Sequence, residues 1–501
     1  MKEETRFMLA FVLALLVIIL FSLSPQRKNA QPVQKPIDTS VVEKPIVHGE
    51  FEISDNLVEM KNDLYNCVFD LLGGKIVSFS LNQYKRPDEK NFFFFQQGVT
   101  LLDSVENETG QLIYNISPDS KGNILVLESK RNELKIKKQI EIFQSKYSMN
   151  STIVIQNNQN KSIIFPELNI YLGSINLSRK HPEDASIEFM VMNGGKPYKF
   201  NVARQTKEKI PGNVCVVRTR YQMYYFKIDQ PVEFYVENVA SKVTWGFKLT
   251  SSEIPAGGIK QYPFLLYIGP SDYFIARNEI KDPRVFGTGF FASMGRLIFL
   301  VLNKIHKFIP NWGFSIIILT VLIKIVFFPL TKSSLRSMKQ MQKLRPYLQD
   351  IQKKYKDNPQ MMQKEMMNLY KEFKINPFSG CLPMLIQIPI FVGFFLALRS
   401  SIFLRGSGFM LWIKDLSLPD TVATIGNIPI NILPFLMFIT SFFQQRMNPA
   451  VEQSQKFMNV IFPVMMLILF YNFSSGLLLY WVTMNLAGLI EQYYIYKIAK
   501  K

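Results

Sequence analysis

The sequence predicts an α+β membrane protein with six transmembrane helices, a large β-sandwich domain outside the cytoplasm and a cytoplasmic helical hairpin. Apolar runs of membrane-spanning length occur near the N-terminus and again after residue 311. Between them, short runs rich in β-branched and aromatic residues alternate with turn residues. Hydrophobic residues make up 48% of the 501 residues, and the mean hydropathy is +0.07. These values indicate a chain that is part soluble and part membrane-embedded.

The first apolar run, Phe7–Leu23, is longer than the core of a typical signal peptide. A cleavage site near Ser24 would place Pro25 directly after the cut, so we expect an uncleaved transmembrane anchor over 1–23. A cleaved signal is the alternative. Residues 24–45 carry four prolines among polar residues and predict a flexible, extended linker.

Residues 46–285 predict the β-sandwich domain. Several segments alternate apolar and polar residues, as strands with one buried face do, and Gly73 and Gly74 supply a turn. A domain of this length can bury a substantial core. The clearest predicted strands are Lys75–Leu81, Ile124–Glu128, Leu134–Phe143, Ser151–Gln156, Val214–Ile228 and Gln261–Ile268.

The helical part begins at residue 288. Over 288–310, basic and amide side chains share one face of an otherwise apolar helix, which predicts an amphipathic helix in the membrane interface. Packing of this helix on the β-domain is the alternative. Residues 311–498 predict a five-helix core, with spans over Trp312–Leu330, Cys381–Ser400, Ile428–Met447, Phe457–Phe473 and Leu477–Tyr494.

The distribution of basic residues predicts the orientation. Residues 331–380 contain 11 Lys/Arg and four Asp/Glu, whereas 401–427 contain only Arg405 and Lys414 as basic residues. The positive-inside rule therefore places 331–380 and the C-terminus in the cytoplasm, and six spans place the N-terminus there too. The β-domain then lies outside the cytoplasm, as expected for a multi-pass protein of a bacterial inner membrane or an equivalent membrane.

The cytoplasmic segment 331–376 predicts a helical hairpin. Ser334–Lys356 and Gln360–Phe373 are rich in helix formers, and Asn358-Pro359 breaks them. Methionines on these helices either offer a soft surface to apolar partners or zip the two helices together, and both uses are compatible. They are Met338, Met341, Met361, Met362, Met366 and Met367.

Polar residues inside the predicted spans are the candidate functional residues. Lys324 and Thr320 lie one turn apart, Gln387 lies in the third span and Asn485 in the last. A lysine at mid-bilayer costs about 2.5–3.5 kcal/mol on insertion scales, so polar residues on several spans predict a wet groove inside the helix bundle. The alternatives are snorkelling for Lys324 and plain interhelical hydrogen bonds for Gln387 and Asn485.

Catalytic and metal sites have no support in the sequence. The three histidines are far apart, and Cys67, Cys215 and Cys381 form no CxxC pair. We expect no catalytic residues, no metal and no cofactor. Whether Cys67 and Cys215 form a disulfide stays open, since their spacing says nothing about proximity.

Motifs in the C-terminal half carry a resemblance. The segments that carry it are Asn311–Ile318, Pro329–Lys332, Asn376–Pro377, Gly380–Cys381 with Pro383, Ile386–Phe391, Ser475–Leu477 and Leu479–Trp481. On these motifs, about 290–498 closely resembles the YidC/Oxa/Alb family of membrane protein insertases, and the anchor with its large domain looks like the Gram-negative form with a periplasmic domain.

The resemblance implies an insertase and chaperone with a hydrophilic groove open to the cytoplasm and to lipid. In such proteins a basic groove residue attracts the polar tail of a client. That position falls on Lys324, where many members have Arg, with Thr320 and Gln387 as companions. The path along which the client slides into lipid falls on Ile388, Pro389 and Tyr480.

Nascent membrane proteins are the partners that this function requires. Membrane lipids, the Sec translocon and the ribosome are the further expected partners, and no specific nucleic acid sequence is expected. A small-solute transporter or channel is the alternative function, although no inverted repeat supports it. An envelope enzyme based in the β-domain is a third class, without a catalytic constellation to support it.

Overall fold

The computed structural model describes residues 55–84, 92–93, 102–104, 112–131, 134–165, 168–176, 187–195, 197–201, 207–239, 242–287, 289–373, 382–426, 428–447 and 453–498. The chain forms two compact units, Met1–Phe286 and Gly287–Lys501. The predicted anchor over 1–23, the linker over 24–45 and Cys381 lie outside the described residues.

The N-terminal unit is built from antiparallel strands. Strands β1 to β4 form one sheet in that order: Leu57–Lys61, Tyr65–Asp70, Lys75–Leu81 and Phe92–Phe93. The turn between β2 and β3 uses Gly73 and Gly74, whose φ angles are 84° and 61°. Glycine tolerates this left-handed region because it has no Cβ, so the turn predicted there is confirmed.

A second sheet contains twelve strands along the path β13-β12-β14-β15-β18-β9-β8-β7-β6, and β5, β11 and β16 join it off this path. Strands β10 and β17 form a separate pair. The prediction of a β-rich unit is confirmed. The bounds are β5 Leu102–Ser104, β6 Asn115–Ile116, β7 Ile124–Arg131, β8 Leu134–Ile142, β9 Ser148–Asn157, β10 Ile163–Phe165, β11 Leu168–Asn176, β12 Glu188–Met192, β13 Tyr198–Phe200, β14 Lys207–Arg218, β15 Gln222–Val239, β16 Lys242–Leu249, β17 Ser252–Ile254 and β18 Ile259–Pro270.

The core of this unit is centred on Trp245, which is fully buried. Phe189 and Tyr224 meet its indole edge-on, with ring centroids 5.3 and 6.1 Å away. On the paired strand β11, a Cβ at Gly173 would lie 2.4 Å from Trp245 Cζ2. Residue 173 must therefore be glycine for the two strands to pair across the indole.

One strand prediction was wrong. Val214–Ile228 was expected to be a single strand, but β14 ends at Arg218 and β15 begins at Gln222. The backbone turns between them, and Thr219 N donates to Gln222 O at 2.8 Å. The turn residue Tyr221 is 1% exposed. The segment Thr219–Tyr221 contains no glycine, proline, asparagine or aspartate, the residues that usually mark a turn in a sequence.

The C-terminal unit is mainly helical. A short helix, α1 (Tyr273–Ala276), precedes it in the N-terminal unit. The helices of the C-terminal unit are α2 Phe290–Phe308, α3 Trp312–Lys343, α4 Arg345–Lys354, α5 Pro359–Glu372, α6 Leu382–Arg399, α7 Leu433–Met447, α8 Gln453–Phe470 and α9 Ser475–Ile498. Among the described residues, α3 is the one helix that is long and apolar enough to cross a bilayer, while Leu385–Arg399 and Ile461–Phe470 are shorter apolar segments. The count of six spans stays a prediction.

Helix α2 is amphipathic, as expected, and packs against α3 and α6. Gly393 on α6 permits a close approach, because a Cβ there would lie 2.6 Å from Ile298 Cδ1. At the corner between α2 and α3, the ring of His306 stacks on Trp312 with centroids 3.9 Å apart. The side chain of Asn311 caps α3 by accepting a hydrogen bond from Phe314 N at 3.2 Å.

The helical hairpin that the sequence predicts over 331–376 has a different internal boundary in the structure. The span expected to end at Leu330 continues in α3 to Lys343, because Pro329 removes only one donor from a long helix. The break falls at Leu344, and Pro346 occupies the first turn of α4, where a missing N–H costs nothing. The break at Pro359 is confirmed, with Asn358 capping α5 through Met361 N.

The structure also differs from the prediction in the loop before α7 and between the last two helices. Ile428–Asn431 was expected to begin a span, but it forms β20 and pairs with β19 (Thr421–Ile425), so α7 begins only at Leu433. A short apolar run does not distinguish strand from helix. The break expected at Ser474–Gly476 falls slightly earlier. Helix α8 ends at Phe470, Phe473 N donates to Phe470 O in the turn that follows, and α9 already begins at Ser475.

Candidate functional site

Polar groups from three helices meet along one face of α9. Asn485, Gly488 and Glu491 are spaced by three residues and therefore share that face. Asn485 is 4% exposed. Its Nδ2 donates to Thr440 Oγ1 at 3.1 Å and to Ser441 Oγ at 2.8 Å on α7. The structure thus shows Asn485 in interhelical hydrogen bonds.

Gly488 lies one turn further along and leaves room for two polar side chains. A Cβ at this position would lie 2.5 Å from Gln444 Nε2 of α7 and 3.4 Å from Lys324 Nζ of α3. The absence of a side chain on α9 therefore lets an amide and an ammonium group approach the same point.

Lys324 forms an ion pair on this face. Its Nζ donates to Glu491 Oε2 at 3.1 Å, and the side chains are 15% and 11% exposed. An unpaired charge in such surroundings would be costly, so each group offsets the desolvation of the other. Glu491 was not predicted. It is the one charged residue between 457 and 496, and this isolation in an apolar segment was the available signal.

Burial along α3 changes just before Lys324. Six of the nine residues from Trp312 to Thr320 are buried, whereas every residue from Val321 to Lys332 is partly or fully exposed. Thr320 is fully buried, and its Oγ1 donates to Ile316 O at 2.7 Å on its own helix. Lys324 therefore lies one turn into the open half of the helix.

The loop before α7 covers the closed half. The ring of Phe409 lies over Gly313, where a Cβ would be 2.1 Å from Phe409 Cδ2. At the start of α9, Ser475 N donates to Leu418 O at 2.7 Å and Gly476 N donates to Leu416 O at 2.9 Å. These contacts fasten the loop across one end of the helices.

The other predicted residues lie on α6 and α9. Gln387, Ile388 and Pro389 are partly exposed on α6, and no described contact joins Gln387 to Lys324. Tyr480 is 1% exposed. Its ring stacks on Phe394 of α6, with centroids 4.1 Å apart. The described residues offer its hydroxyl no hydrogen-bond partner. Lys324 thus contacts α9 through Glu491. Gln387 lies on α6, and Tyr480 of α9 packs against α6.

Two cysteines of the described residues are free thiols, so the disulfide left open by the sequence is not formed. Cys67 and Cys215 are both buried. Burial raises the pKa of Cys215 to about 12 and that of Cys67 further still. Within the described ranges, no group of three or more His, Cys, Asp or Glu side chains is arranged to hold a metal ion.

Comparison with known proteins identifies the family. Residues 304–501 match the family model described as 60Kd inner membrane protein. Over 465 residues the chain is 32% identical to the membrane protein insertase YidC of Endomicrobium trichonymphae, covering 90% of this chain and 88% of the relative. The chain belongs to the YidC family. The prediction from the sequence motifs, a member of the YidC/Oxa/Alb family, is thereby confirmed.

Further relatives carry the same name. The YidC insertase of Geobacter metallireducens is 42% identical over 243 residues, covering 48% of this chain and 44% of the relative. That of Pseudomonas entomophila is 29% identical over 481 residues, covering 88% and 84%. These relatives of the family are named as insertases and not as enzymes.

Two solved structures show weaker similarity. The crystal structure of an active YidC insertase with its first transmembrane domain resolved is 18% identical, covers 88% of this chain and 93% of its own, and gives a TM-score of 0.40. A galactose mutarotase related enzyme from Lactobacillus acidophilus is 10% identical, covers 42% and 97%, and gives 0.31. Both TM-scores lie below the level that establishes a shared fold.

Proposed function

We propose that this protein inserts integral membrane proteins into the bacterial inner membrane and helps them fold. The observation that carries the proposal is the position of Lys324, a partly exposed ammonium group on an apolar helix, one turn beyond the closed half of α3. Membership of the insertase family gives this position its context. The client's polar tail enters here while its apolar segment stays in contact with lipid.

The attraction between Lys324 and an anionic client tail is the first step. The ammonium group is partly buried, so solvent screens its charge less than it screens a surface charge. Attraction to a carboxylate at contact distance is about 1 kcal/mol in bulk water and about 4 kcal/mol at a partly desolvated site. The open half of α3 exposes Val321, Ile325 and Val326 beside it. A client thus meets a charge and an apolar surface on the same helix.

The step into lipid uses the α6 side of the bundle. Ile388 and Pro389 are partly exposed there. Aromatic rings join α6 to α9: Phe394 stacks on Tyr480, and Phe391 meets Trp481 edge-on at 4.9 Å. A firm aromatic contact keeps the two helices together while an apolar client segment passes over their outer surface.

The helical hairpin receives clients on the cytoplasmic side. Leu344, Leu348 and Tyr370 form its small core, and Met341 and Met366 pack against them. Met361 and Met367 instead point outward, with 38% and 41% of their surface exposed. The methionines therefore divide between zipping the helices and offering a soft apolar surface. Sec translocon, ribosome and lipid headgroups are the proposed partners at this side.

The proposed topology has six transmembrane helices, cytoplasmic termini and a periplasmic β-sandwich. Single cysteines introduced near Ser120 and Asn358 in a background free of native cysteines test it. The topology expects a membrane-impermeant thiol reagent applied from outside to label the site near Ser120 alone. Labelling of both sites from the same side would contradict the six-span arrangement.

Depletion of the protein from cells tests the function itself. The insertase function expects small inner-membrane proteins to fail to insert, while uptake of solutes through pre-existing transporters stays normal. A small-solute transporter would give the opposite result. Normal insertion of every small membrane protein after full depletion would overturn the proposal.

A further inference from the structure

The ammonium group of Lys324 already has an acidic partner inside the protein. Its Nζ lies 3.1 Å from Glu491 Oε2. We propose that Glu491 is an internal competitor, which holds Lys324 in the client-free state and which a carboxylate of the client must displace. The inference rests on the proposed function and adds the residue that sets selectivity for acidic tails.

The geometry suits an exchangeable pair. A lysine ammonium group has three donors, and among the described residues Glu491 is the one acceptor to which Lys324 Nζ donates. The contact is a single hydrogen bond, weaker than a two-pronged arginine–carboxylate pair would be. Both side chains keep some exposure, at 15% and 11%. A second carboxylate can therefore reach Nζ before the first one leaves.

A neighbouring amide can receive the displaced carboxylate. Gln444 Nε2 lies 2.5 Å from the position of a Cβ on Gly488, and Lys324 Nζ lies 3.4 Å from that same position. Glu491 follows Gly488 by three residues, so its side chain rises over the same face of α9. When a client takes Lys324, Glu491 can turn to the Gln444 amide, and its charge keeps a hydrogen-bond donor.

This arrangement predicts discrimination between clients. In the client-free state the pair is neutral, so the site attracts an anion only as strongly as that anion outcompetes Glu491. Tails with one or more carboxylates displace it, whereas neutral tails gain nothing from doing so. Removing the charge of Glu491 should therefore help acidic tails selectively.

The test compares Glu491→Gln with the unaltered full chain in proteoliposomes. Two client peptides share one apolar segment, and their tails are acidic or neutral. We expect Glu491→Gln to tighten the Kd for the acidic client by about fivefold, the upper end of what one solvent-accessible ion pair is worth. The Kd for the neutral client should stay unchanged. Glu253→Gln, which removes an exposed carboxylate from β17, should change neither.

A purely structural ion pair gives a different pattern. Glu491→Gln would then weaken both clients equally and lower the unfolding temperature, and this result overturns the inference. Glu491→Asp serves if the Gln variant fails to fold. Its shorter side chain weakens the competition but keeps the charge, so the acidic client alone should bind more tightly, by a smaller factor. No gain with Asp overturns the inference as well.

Lys324→Gln separates this inference from the proposed function. Loss of acidic-client binding in Lys324→Gln, together with no gain in Glu491→Gln, would leave the insertase proposal in place and refute the competitor. Unchanged binding of both clients in Lys324→Gln would refute the charge-based capture step itself.

Discussion

The buried carboxylate of Asp420 joins the loop before α7 to the start of that helix. Asp420 is 3% exposed. Its Oδ2 accepts hydrogen bonds from Trp412 Nε1 at 2.9 Å, Ile432 N at 3.0 Å and Leu433 N at 2.7 Å. Asp420→Ala would leave these three donors without their acceptor. At about 1–3 kcal/mol for each buried donor, reduced by partial relaxation, the free energy of unfolding should fall by about 3–5 kcal/mol.

Unfolding of the purified protein in detergent, followed by tryptophan fluorescence, measures this change. Asp420→Asn keeps the shape and one acceptor oxygen, so it should cost only about 1–2 kcal/mol. Asp357→Ala removes an exposed carboxylate from the same unit and should stay within about 0.5 kcal/mol of the unaltered protein. A cost below about 1 kcal/mol for Asp420→Ala would refute the role of the carboxylate in fastening the loop.

Two further predictions concern the β-rich unit and the hairpin. Burial raises the pKa of Asp272, which caps α1 through Phe274 N at 2.8 Å, to about 6. The folded state therefore binds the carboxyl proton of Asp272 more tightly than the unfolded state does. The free energy of unfolding should fall by roughly 2–3 kcal/mol as pH rises from about 4 to 6. Asp272→Asn should flatten this dependence in unfolding measured across that range, and a pH-independent difference between the two proteins would contradict it. Met361→Ser with Met367→Ser should weaken cross-linking to nascent clients severalfold at unchanged stability, whereas Met366→Ser should lower hairpin stability, and unimpaired capture by the double variant would exclude a receiving role.

The parts of the fold that local signals determine could be predicted from the sequence. The division into a β-rich and a helical part follows from hydrophobic periodicity, and the break at Pro359 follows from its missing donor. The strand Ile428–Asn431 and the turn at Thr219–Tyr221 could not be predicted. The first lies in an apolar run whose end depends on a distant partner, Asp420, at the start of α7. The second has no residue type that marks a turn, and its backbone is held by Ser271, whose Oγ donates to Arg220 O.

The candidate site was predicted only in part for a similar reason. Lys324 stands out because a charge inside an apolar span is expensive. Its partner Glu491 is 167 residues away in sequence, and no pattern along the chain connects the two. Gly488 could not be recognised in the sequence for the same reason, because its role depends on the approach of Gln444 and Lys324 from other helices. Residue types reveal candidate charges, whereas helix packing determines which of them meet.

The rate of client insertion in a charge series at Lys324 tests the central claim most directly. Insertion of acidic-tailed and neutral-tailed clients into proteoliposomes is measured for the unaltered protein, Lys324→Arg, Lys324→Ala and Lys324→Glu. Lys324→Arg should be nearly neutral, Lys324→Ala should slow the acidic client about tenfold, and Lys324→Glu, which adds a second carboxylate beside Glu491, should slow it further. The neutral client should respond much less. Equal rates for all four proteins on both clients would show that Lys324 only snorkels to the interface and would contradict capture by its charge.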